Sequence, residues 1–338
     1  MPGQALRRPP AVGRVLERLT ATARRHRMFD AGSRVIVAVS GGPDSLCLLH
    51  SLVRLRRLLK IDPVCFHFDH RLRKGSELDA VYVRGQAKRL GVPFFLRRAG
   101  SAPARGESIE AWARTVRYEA LTYLLDELGG GVAAVGHTAD DQAETVLLAL
   151  LRGGGLDALA GMRPVSGSLV RPLLETARED TEAFCRSLGL RPRRDPMNED
   201  PAFMRPAIRH RVIPQLERAT GRNLRATLAR TAALLRQDAE FLDQLAEAAR
   251  PEVIVEEGSR VALLHSGRLA DLAPAIAGRI VRRAVLALGS LPESGHVDAV
   301  IALARSRPGR SIALPGGLLA RREKEYVRLS RPSLRPAR

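Results

Sequence analysis

At 338 residues, 45% of them hydrophobic and 27% charged, the chain is long enough for two domains that each bury a core. No stretch approaches the length of a membrane span, and Met1 to Pro10 lacks the apolar core of a secretory signal, so a soluble, cytoplasmic protein is expected. The formal net charge is +19, with 34 basic against 23 acidic residues over 1–216 and 21 against 13 over 217–338, so both halves suit a polyanion such as RNA or DNA.

Residues 11–28 set Val12, Val15, Leu16 and Leu19 at helical spacing, followed by Arg24, Arg25 and Arg27, and read as an amphipathic leading helix. Val35 to Val39 then read as a buried parallel strand, and Leu46, Leu48, Leu49, Leu52 and Val53 as a helix running to about Lys60. Between them lies Ser40-Gly41-Gly42-Pro43-Asp44-Ser45. Two glycines let the backbone approach an anion, and the helix opening near Asp44 aims its free N–H groups and positive dipole end at the same spot. The run reads as a phosphate cradle; a plain Gly-Gly turn is the alternative for the glycines alone. It is neither of the commonest cradles, since no Lys-Ser/Thr pair follows the glycines and no third glycine stands at the dinucleotide-fold spacing.

After a break at Asp62-Pro63, Val64 to Phe68 read as a second strand ending at Asp69-His70. In a doubly wound sheet ligands sit beyond the carboxyl ends of strands, which places Asp69 and His70 beside a nucleotide if this strand neighbours the first. Ser76 and Asp79 resemble a capping box for a helix reaching Gly91. Pro93 to Leu96 supply a third strand, and the next helix, from about Glu107, carries Trp112, Leu121, Leu124 and Leu125 on its apolar side, with Glu110 and Arg114 spaced as a surface pair. A fourth strand, Val132 to Val135, feeds Gly136-His137-Thr138-Ala139-Asp140-Asp141-Gln142-Ala143-Glu144-Thr145. Asp141 and Glu144 are three apart and share one helical face. Capping and dipole complementarity account for such a pair; His137, Asp140 and the position after a strand favour a binding site.

This repeat of strand and helix implies a parallel, doubly wound, Rossmann-like α/β sheet with right-handed crossovers over residues 1–216. Arg152 to Gly155 form a flexible loop, Arg178 to Leu188 a helix, and Asp195 to Pro201 a polar, turn-rich segment. Arg205, Arg209, His210 and Arg211 then form either an RNA-facing edge or a solvated face. Only four of the 55 basic residues are lysines, and codon bias also yields such arginine-rich chains. Residues 217–338 read as a smaller, mainly helical domain suited to RNA binding. It has a long helix from Asn223 to about Arg250, helical patterns at Ala270 to Leu288 and Val297 to Ala304, β-like pieces at Ser311 to Leu314 and Tyr326 to Leu329, and a disordered basic tail, 331–338. Cys47, Cys65 and Cys185, odd in number and set in apolar segments, exclude a disulfide framework and a zinc site and read as packing residues.

Taken together, these motifs resemble the tRNA(Ile)-lysidine synthetase family, within the N-type ATP pyrophosphatase (PP-loop) group. The group signature SGGxDS is Ser40 to Ser45. The narrower match is carried by His67-Phe68-Asp69-His70 with Leu72-Arg73, Ser108-Ile109-Glu110 with Ala113-Arg114 and Arg117-Tyr118, the run Gly136 to Thr145, Arg152-Gly153, Gly161-Met162, Arg171-Pro172-Leu173-Leu174, and Asp195-Pro196-x-Asn198-x-Asp200. It covers residues 33–214, just over half of the chain, and the remainder resembles a short form with one C-terminal domain. Arg71 stands where the family commonly has Gly, and Pro206 where it has Asn.

The resemblance implies an adenine-nucleotide α-hydrolase-like fold and a ligase that uses ATP and Mg²⁺. The family activates the C2 carbonyl oxygen of the wobble cytidine in the CAU anticodon of tRNA(Ile), releases pyrophosphate, and lets free lysine displace the adenylate to give lysidine. By that resemblance Ser40, Gly41, Gly42, Pro43, Asp44 and Ser45 cradle pyrophosphate, and Asp44 helps to hold Mg²⁺. Asp141 and Glu144 hold the lysine ammonium or take its proton, and His137, Arg114 and Arg117 steady phosphate charge or the adenylated base. The alternatives are a PP-loop tRNA thiolase, which would use paired cysteines where this chain has no C-x-x-C, and a non-catalytic nucleotide- and RNA-binding protein. No membrane partner is expected; the oligomeric state stays open, a homodimer included.

Overall fold

Val35, Ile36 and Val37 are fully buried in succession, the signature of a strand covered by helices on both faces. They form the centre of β1 (Arg34–Ala38) in a computed structural model that describes residues 9–73, 75–193 and 204–331. The segment Asp195 to Pro201 and the tail beyond Arg331 lie outside the described residues. The chain divides into two compact units, Met1–Arg236 and Gln237–Arg338.

In the first unit β1 is joined by β2 (Asp62–Asp69), β3 (Phe94–Arg98), β4 (Val132–Ala134), β5 (Val165–Ser166) and β6 (Leu169–Val170). The sheet order is β3-β2-β1-β4-β6-β5, parallel except for the β5–β6 hairpin. Ile36 stands opposite both Val64 and Ala133, so β1 has β2 on one side and β4 on the other. The helices are α1 (Pro10–Arg25), α2 (Pro43–Leu59), α3 (Ser76–Leu90), α4 (Ile109–Glu127), α5 (Ala139–Leu151), α6 (Leu156–Leu159), α7 (Arg178–Ser187), α8 (Met204–Ala207), a π-helical turn Ile208–Val212, α9 (Ile213–Thr220) and α10 (Leu224–Val253). One face of the sheet, with Val35, Val37 and Cys65, packs on α1, α2, α3 and α7. The other, with Ile36, Val64 and Phe66, packs on Leu121, Leu124 and Leu125 of α4. The direction of strand addition reverses between β1 and β4, the switch point at which doubly wound sheets bind ligands.

Several local readings change. Asp79 does not cap α3, whose N-cap is Gly75 at φ +83; it pairs with Arg73 and Arg193. Glu110 reaches Arg205, at 2.9 Å, and Arg114 lies 4.7 Å over the Tyr118 ring. The sequence reading divides the domains at 216/217, whereas the compact units divide inside α10. The reason is that Leu224 and Leu228 pack on the cluster of Ala143, Leu147, Ile208 and Ile213, and Arg225 pairs with Asp140 and Glu217.

The second unit holds the rest of α10 with β7 (Ile254–Glu257), β8 (Val261–His265), α11 (Ser266–Asp271), α12 (Pro274–Ala287), α13 (Ser294–Ala304), β9 (Ser311–Leu314), β10 (Leu318–Arg322) and β11 (Tyr326–Ser330). The expected helices are present, but the β-like pieces belong to an antiparallel five-stranded sheet, β7-β8-β11-β10-β9, that the sequence reading did not contain. Leu264, Ala320, Val327 and Leu329 of this sheet form a core with Ile280, Val281 and Val300. Among the described residues no helix is long and apolar enough to cross a membrane.

Candidate active site

The loop from β1 to α2 closes on its own hydroxyls. Ser45 Oγ donates to the Gly42 carbonyl at 3.0 Å and accepts from Ser40 N–H at 3.2 Å, while Gly42 N–H donates to Ser40 Oγ at 3.4 Å. Gly41 sits at φ +96, a region that disfavours any other residue, and its carbonyl receives Arg193 N–H at 2.9 Å. Pro43 occupies the first helical position, and no side chain caps α2, so its first N–H groups remain for an anion. Gly136 brings the loop after β4 against this helix start: a Cβ there would lie 3.1 Å from the backbone of Asp44 and Ser45. The two loops at the switch point thus form one site.

The acids expected to bind a cation converge beside the cradle, already paired with arginines. Asp141 caps its own helix: Thr138 N–H and Oγ1 donate to Oδ2 at 2.8 and 2.9 Å. The capping account therefore holds, and it leaves Asp141 Oδ1 for Arg178 Nη2 at 2.7 Å and Arg209 Nη2 at 3.2 Å. Glu144, 1% exposed, is gripped by Arg209 through Nε at 2.6 Å and Nη2 at 3.0 Å, with Arg178 at 3.6 Å and Arg205 at 3.9 Å. Asp44 accepts from Arg178 Nε at 3.2 Å and from Thr181 Oγ1. Asp140 accepts Arg178 N–H at 2.8 Å and pairs with Arg225 at 3.1 Å.

Burial and these pairings pull the acids apart in acidity. Burial drives Asp44 up to about 6 despite Arg178. For Asp141 burial acts in the same sense, but Arg178, His137 and Arg209 outweigh it and bring the carboxyl down to about 2. Asp44 stands at a phosphate cradle and fits Mg²⁺, which takes one or two carboxylates and completes its shell with phosphate oxygens and water. Among the described residues no group of three or more His, Cys, Asp or Glu side chains forms a metal cage.

Across the site stand the cations. Arg171 Nε donates to His137 Nδ1 at 3.2 Å, which leaves the proton of the neutral ring on Nε2. Burial, reinforced by Arg171, Arg114 and Arg117, lowers His137 to about 3. Burial lowers Arg117 and Arg171 as well, and Arg114 and Arg117 both lie against the Tyr118 ring. A neutral imidazole N–H among three guanidiniums is an environment for phosphate charge.

Sequence reasoning brought His137, Asp141, Glu144, Arg114 and Arg117 to the site but missed the inward role of Arg178, Thr181, Arg205 and Arg209. At Arg209 the arginine row is neither an RNA-facing edge nor a solvated face, because its fork grips Glu144, whereas Arg205 pairs with Glu110 at 2.9 Å and lies 3.9 Å from Glu144. The i, i+4 spacing of Arg205 and Arg209, one face of a helix, was the available signal. Asp69 is held by Arg71 N–H at 2.9 Å, and the His70 ring meets Phe68 edge-on at 4.7 Å and lies tilted 6.1 Å from Trp112; their partners are protein groups. The three cysteines are buried, and burial pushes Cys65 and Cys185 up to about 12, so packing accounts for them.

A phosphate loop at the switch point of a parallel sheet defines the PP-loop class, and the sequence profile of the PP-loop domain matches residues 14–216. The fold of the U34-tRNA thiolase NcsA from Methanococcus maripaludis is similar, with a TM-score of 0.57 and 14% identity over 67% of this chain and 80% of that one. The profile of the TilS substrate binding domain matches residues 264–328. The tRNA(Ile)-lysidine synthase of Salinispora arenicola is 42% identical over 92% of this chain and 93% of its own, and that of Thermobifida fusca 38% over 95% and 98%. The chain belongs to the tRNA(Ile)-lysidine synthase family.

Proposed function

We propose that the protein ligates free lysine to C2 of the wobble cytidine in the CAU anticodon of tRNA(Ile), in the cytoplasm, converting ATP to AMP and pyrophosphate. The observation that carries this reading is the buried carboxylate pair Asp141 and Glu144 one loop away from the phosphate cradle, joined to it through Gly136 and Arg178. In the first step the cytidine C2 oxygen attacks the α-phosphorus and pyrophosphate leaves. Backbone N–H groups of Gly41, Asp44 and Ser45 in the cradle Ser40 to Ser45 receive its charge, and Asp44 would hold the Mg²⁺ that neutralises the departing phosphates. The Nε2–H of His137, with Arg114 and Arg117 beside it, donates toward the adenylate.

In the second step the lysine amine forms its bond to C2, the C2–O bond breaks, and AMP leaves with that electron pair. Asp141 and Glu144 hold the ammonium, and one of them takes the proton that the amine must lose before it attacks. The basic second unit, with its substrate-binding profile, contacts the tRNA. Labelled lysine, ATP and tRNA with a CAU anticodon test the proposal: incorporation is expected. Asp141→Asn and Glu144→Gln should still exchange label between pyrophosphate and ATP in the presence of tRNA, yet incorporate no lysine. Wild-type protein that incorporates none sinks the reading.

A further inference from the structure

Arg178 opens α7, and its side chain spans from the cradle to the carboxylate pair. Nε lies 3.2 Å from Asp44, Nη2 2.7 Å from Asp141 Oδ1, and Nη1 3.6 Å from Glu144 Oε1. None of these acids is held by two parallel bonds, in contrast to Arg209, whose fork grips both oxygens of Glu144. The backbone of Arg178 is anchored separately, through its N–H to Asp140. Its position runs against helix electrostatics, because a cation in a first turn faces the positive dipole end. A local rule broken where four acids converge points to function.

We propose that Arg178 is a movable counter-cation that makes lysine binding depend on an occupied phosphate cradle, an inference that rests on the lysine reading above. Arg178 lies on the carboxylate oxygens that a lysine ammonium needs, Asp141 Oδ1 and Glu144 Oε1. The two cations exclude each other by space and by like charge at short range. Nucleotide phosphates in the cradle bring negative charge to the loop that bears Asp44. The guanidinium then turns from the carboxylates to phosphate oxygens, which suit its planar donors. Asp141 and Glu144 are left with Arg209, and because Arg205 pairs closely with Glu110, at 2.9 Å against 3.9 Å to Glu144, one negative charge stays uncompensated, which the lysine ammonium balances. Linkage makes the effect reciprocal, so lysine also tightens nucleotide binding. Arg178 is in this sense a positioning residue: the amine is recruited once the nucleotide that activates the base is in place.

The test is calorimetric titration of lysine into the full chain, with and without α,β-methylene-ATP and Mg²⁺. Wild type is expected to bind lysine about ten-fold tighter, or more, with the analogue, within the ordinary range of coupling between sites. Arg178→Met is expected to bind lysine without the analogue as tightly as wild type does with it. Arg178→Lys, which keeps the charge and loses the fork, should still bind lysine weakly when nucleotide is absent. Equal wild-type affinities in the two conditions overturn the inference without recourse to any variant, and so does full tightening in Arg178→Met. Lysine binding without coupling rejects the inference alone, whereas no lysine binding in any state rejects the reading of the carboxylate pair and the inference with it.

Discussion

Replacing Arg209 by methionine separates an inward arginine from an RNA-facing one. Glu144 is 1% exposed, and Arg209 supplies both of its close contacts, at 2.6 and 3.0 Å. Without Arg209 the nearest cations are Arg178 at 3.6 Å and Arg205 at 3.9 Å, beyond hydrogen-bond reach. Removing one partner of a buried ion pair costs about 3–5 kcal/mol, because the other charge is stranded. The two remaining guanidiniums place the expectation at the lower end, about 3 kcal/mol. Trp112, the only tryptophan of the chain, is buried on α4, so its fluorescence during urea unfolding reports the first unit. The double variant Arg209→Met with Glu144→Met strands no charge and should recover to within about 1 kcal/mol of wild type. A loss below about 1 kcal/mol in Arg209→Met, with weakened tRNA binding instead, would refute the inward reading. A double variant no more stable than the single would refute the stranded-charge argument.

Acid should weaken the first unit in a defined window. His50 and His137 are held down to about 4 and about 3 by burial, from 6.5, so the unfolded chain protonates first as pH falls. Their stabilisation is complete above pH 6.5 and is lost progressively toward pH 3; Asp141 adds its own loss between 3.8 and about 2, whereas Asp44, raised to about 6, opposes the trend between 6 and 3.8. Two histidines against one aspartate give a net loss of at least about 1 kcal/mol per pH unit below 6, to which His67, also lowered by burial, adds, and a urea midpoint that stays flat from pH 7 to 5 would contradict it. Gly136→Ala places a methyl 3.1 Å from the backbone of Asp44 and Ser45, so the start of α2 must shift and ATP affinity should fall while the circular dichroism stays unchanged; unaltered affinity would dissociate the two loops. Replacing Cys47, Cys65 and Cys185 together by alanine should lower stability, in part through the lost bond from Cys185 Sγ to the Pro43 carbonyl at 3.4 Å, yet preserve lysine incorporation; abolished chemistry in a folded variant would revive the thiolase alternative.

The segment from Arg34 to Leu59 was legible because each of its parts obeys a local rule. An uninterrupted apolar run makes a doubly covered strand, and Gly-Gly-Pro-Asp opens a helix. The hairpins were signalled more faintly. Gly167 at φ +58 between β5 and β6, and Gly258 between β7 and β8, mark turns, but the strands beside them have two to five residues, too few for a period to show. The partners of the acids could not be read at all: Arg178 stands 37 residues from Asp141, and Arg209 stands 65 from Glu144. Spacing encodes faces of one element, not which elements meet. What Arg178 did offer was a contradiction, a cation at a helix N-terminus, and such contradictions are where sites are found.

The charge of the chain acquires a different meaning once these pairs are known. A net +19 invites the inference of a wholly basic surface, yet Arg178, Arg209 and Arg225 turn to Asp44, Asp140, Asp141 and Glu144. Burial raises a carboxyl, as it does at Asp44, and a neutral carboxyl holds no ammonium. The arginines are therefore what would keep the proposed lysine site charged inside a basic protein: Arg178 and Arg209 hold Asp141 ionised at every physiological pH. At physiological ionic strength the field of the exposed charges fades within about 8 Å, so it neither draws lysine in nor repels it far from the surface. On the proposed reading, recognition of lysine falls to short-range contact with Asp141 and Glu144, while the many phosphates of a tRNA sum the weaker surface field along its length. On that reading one excess of arginine serves two ligands of opposite charge, by being buried for one and exposed for the other.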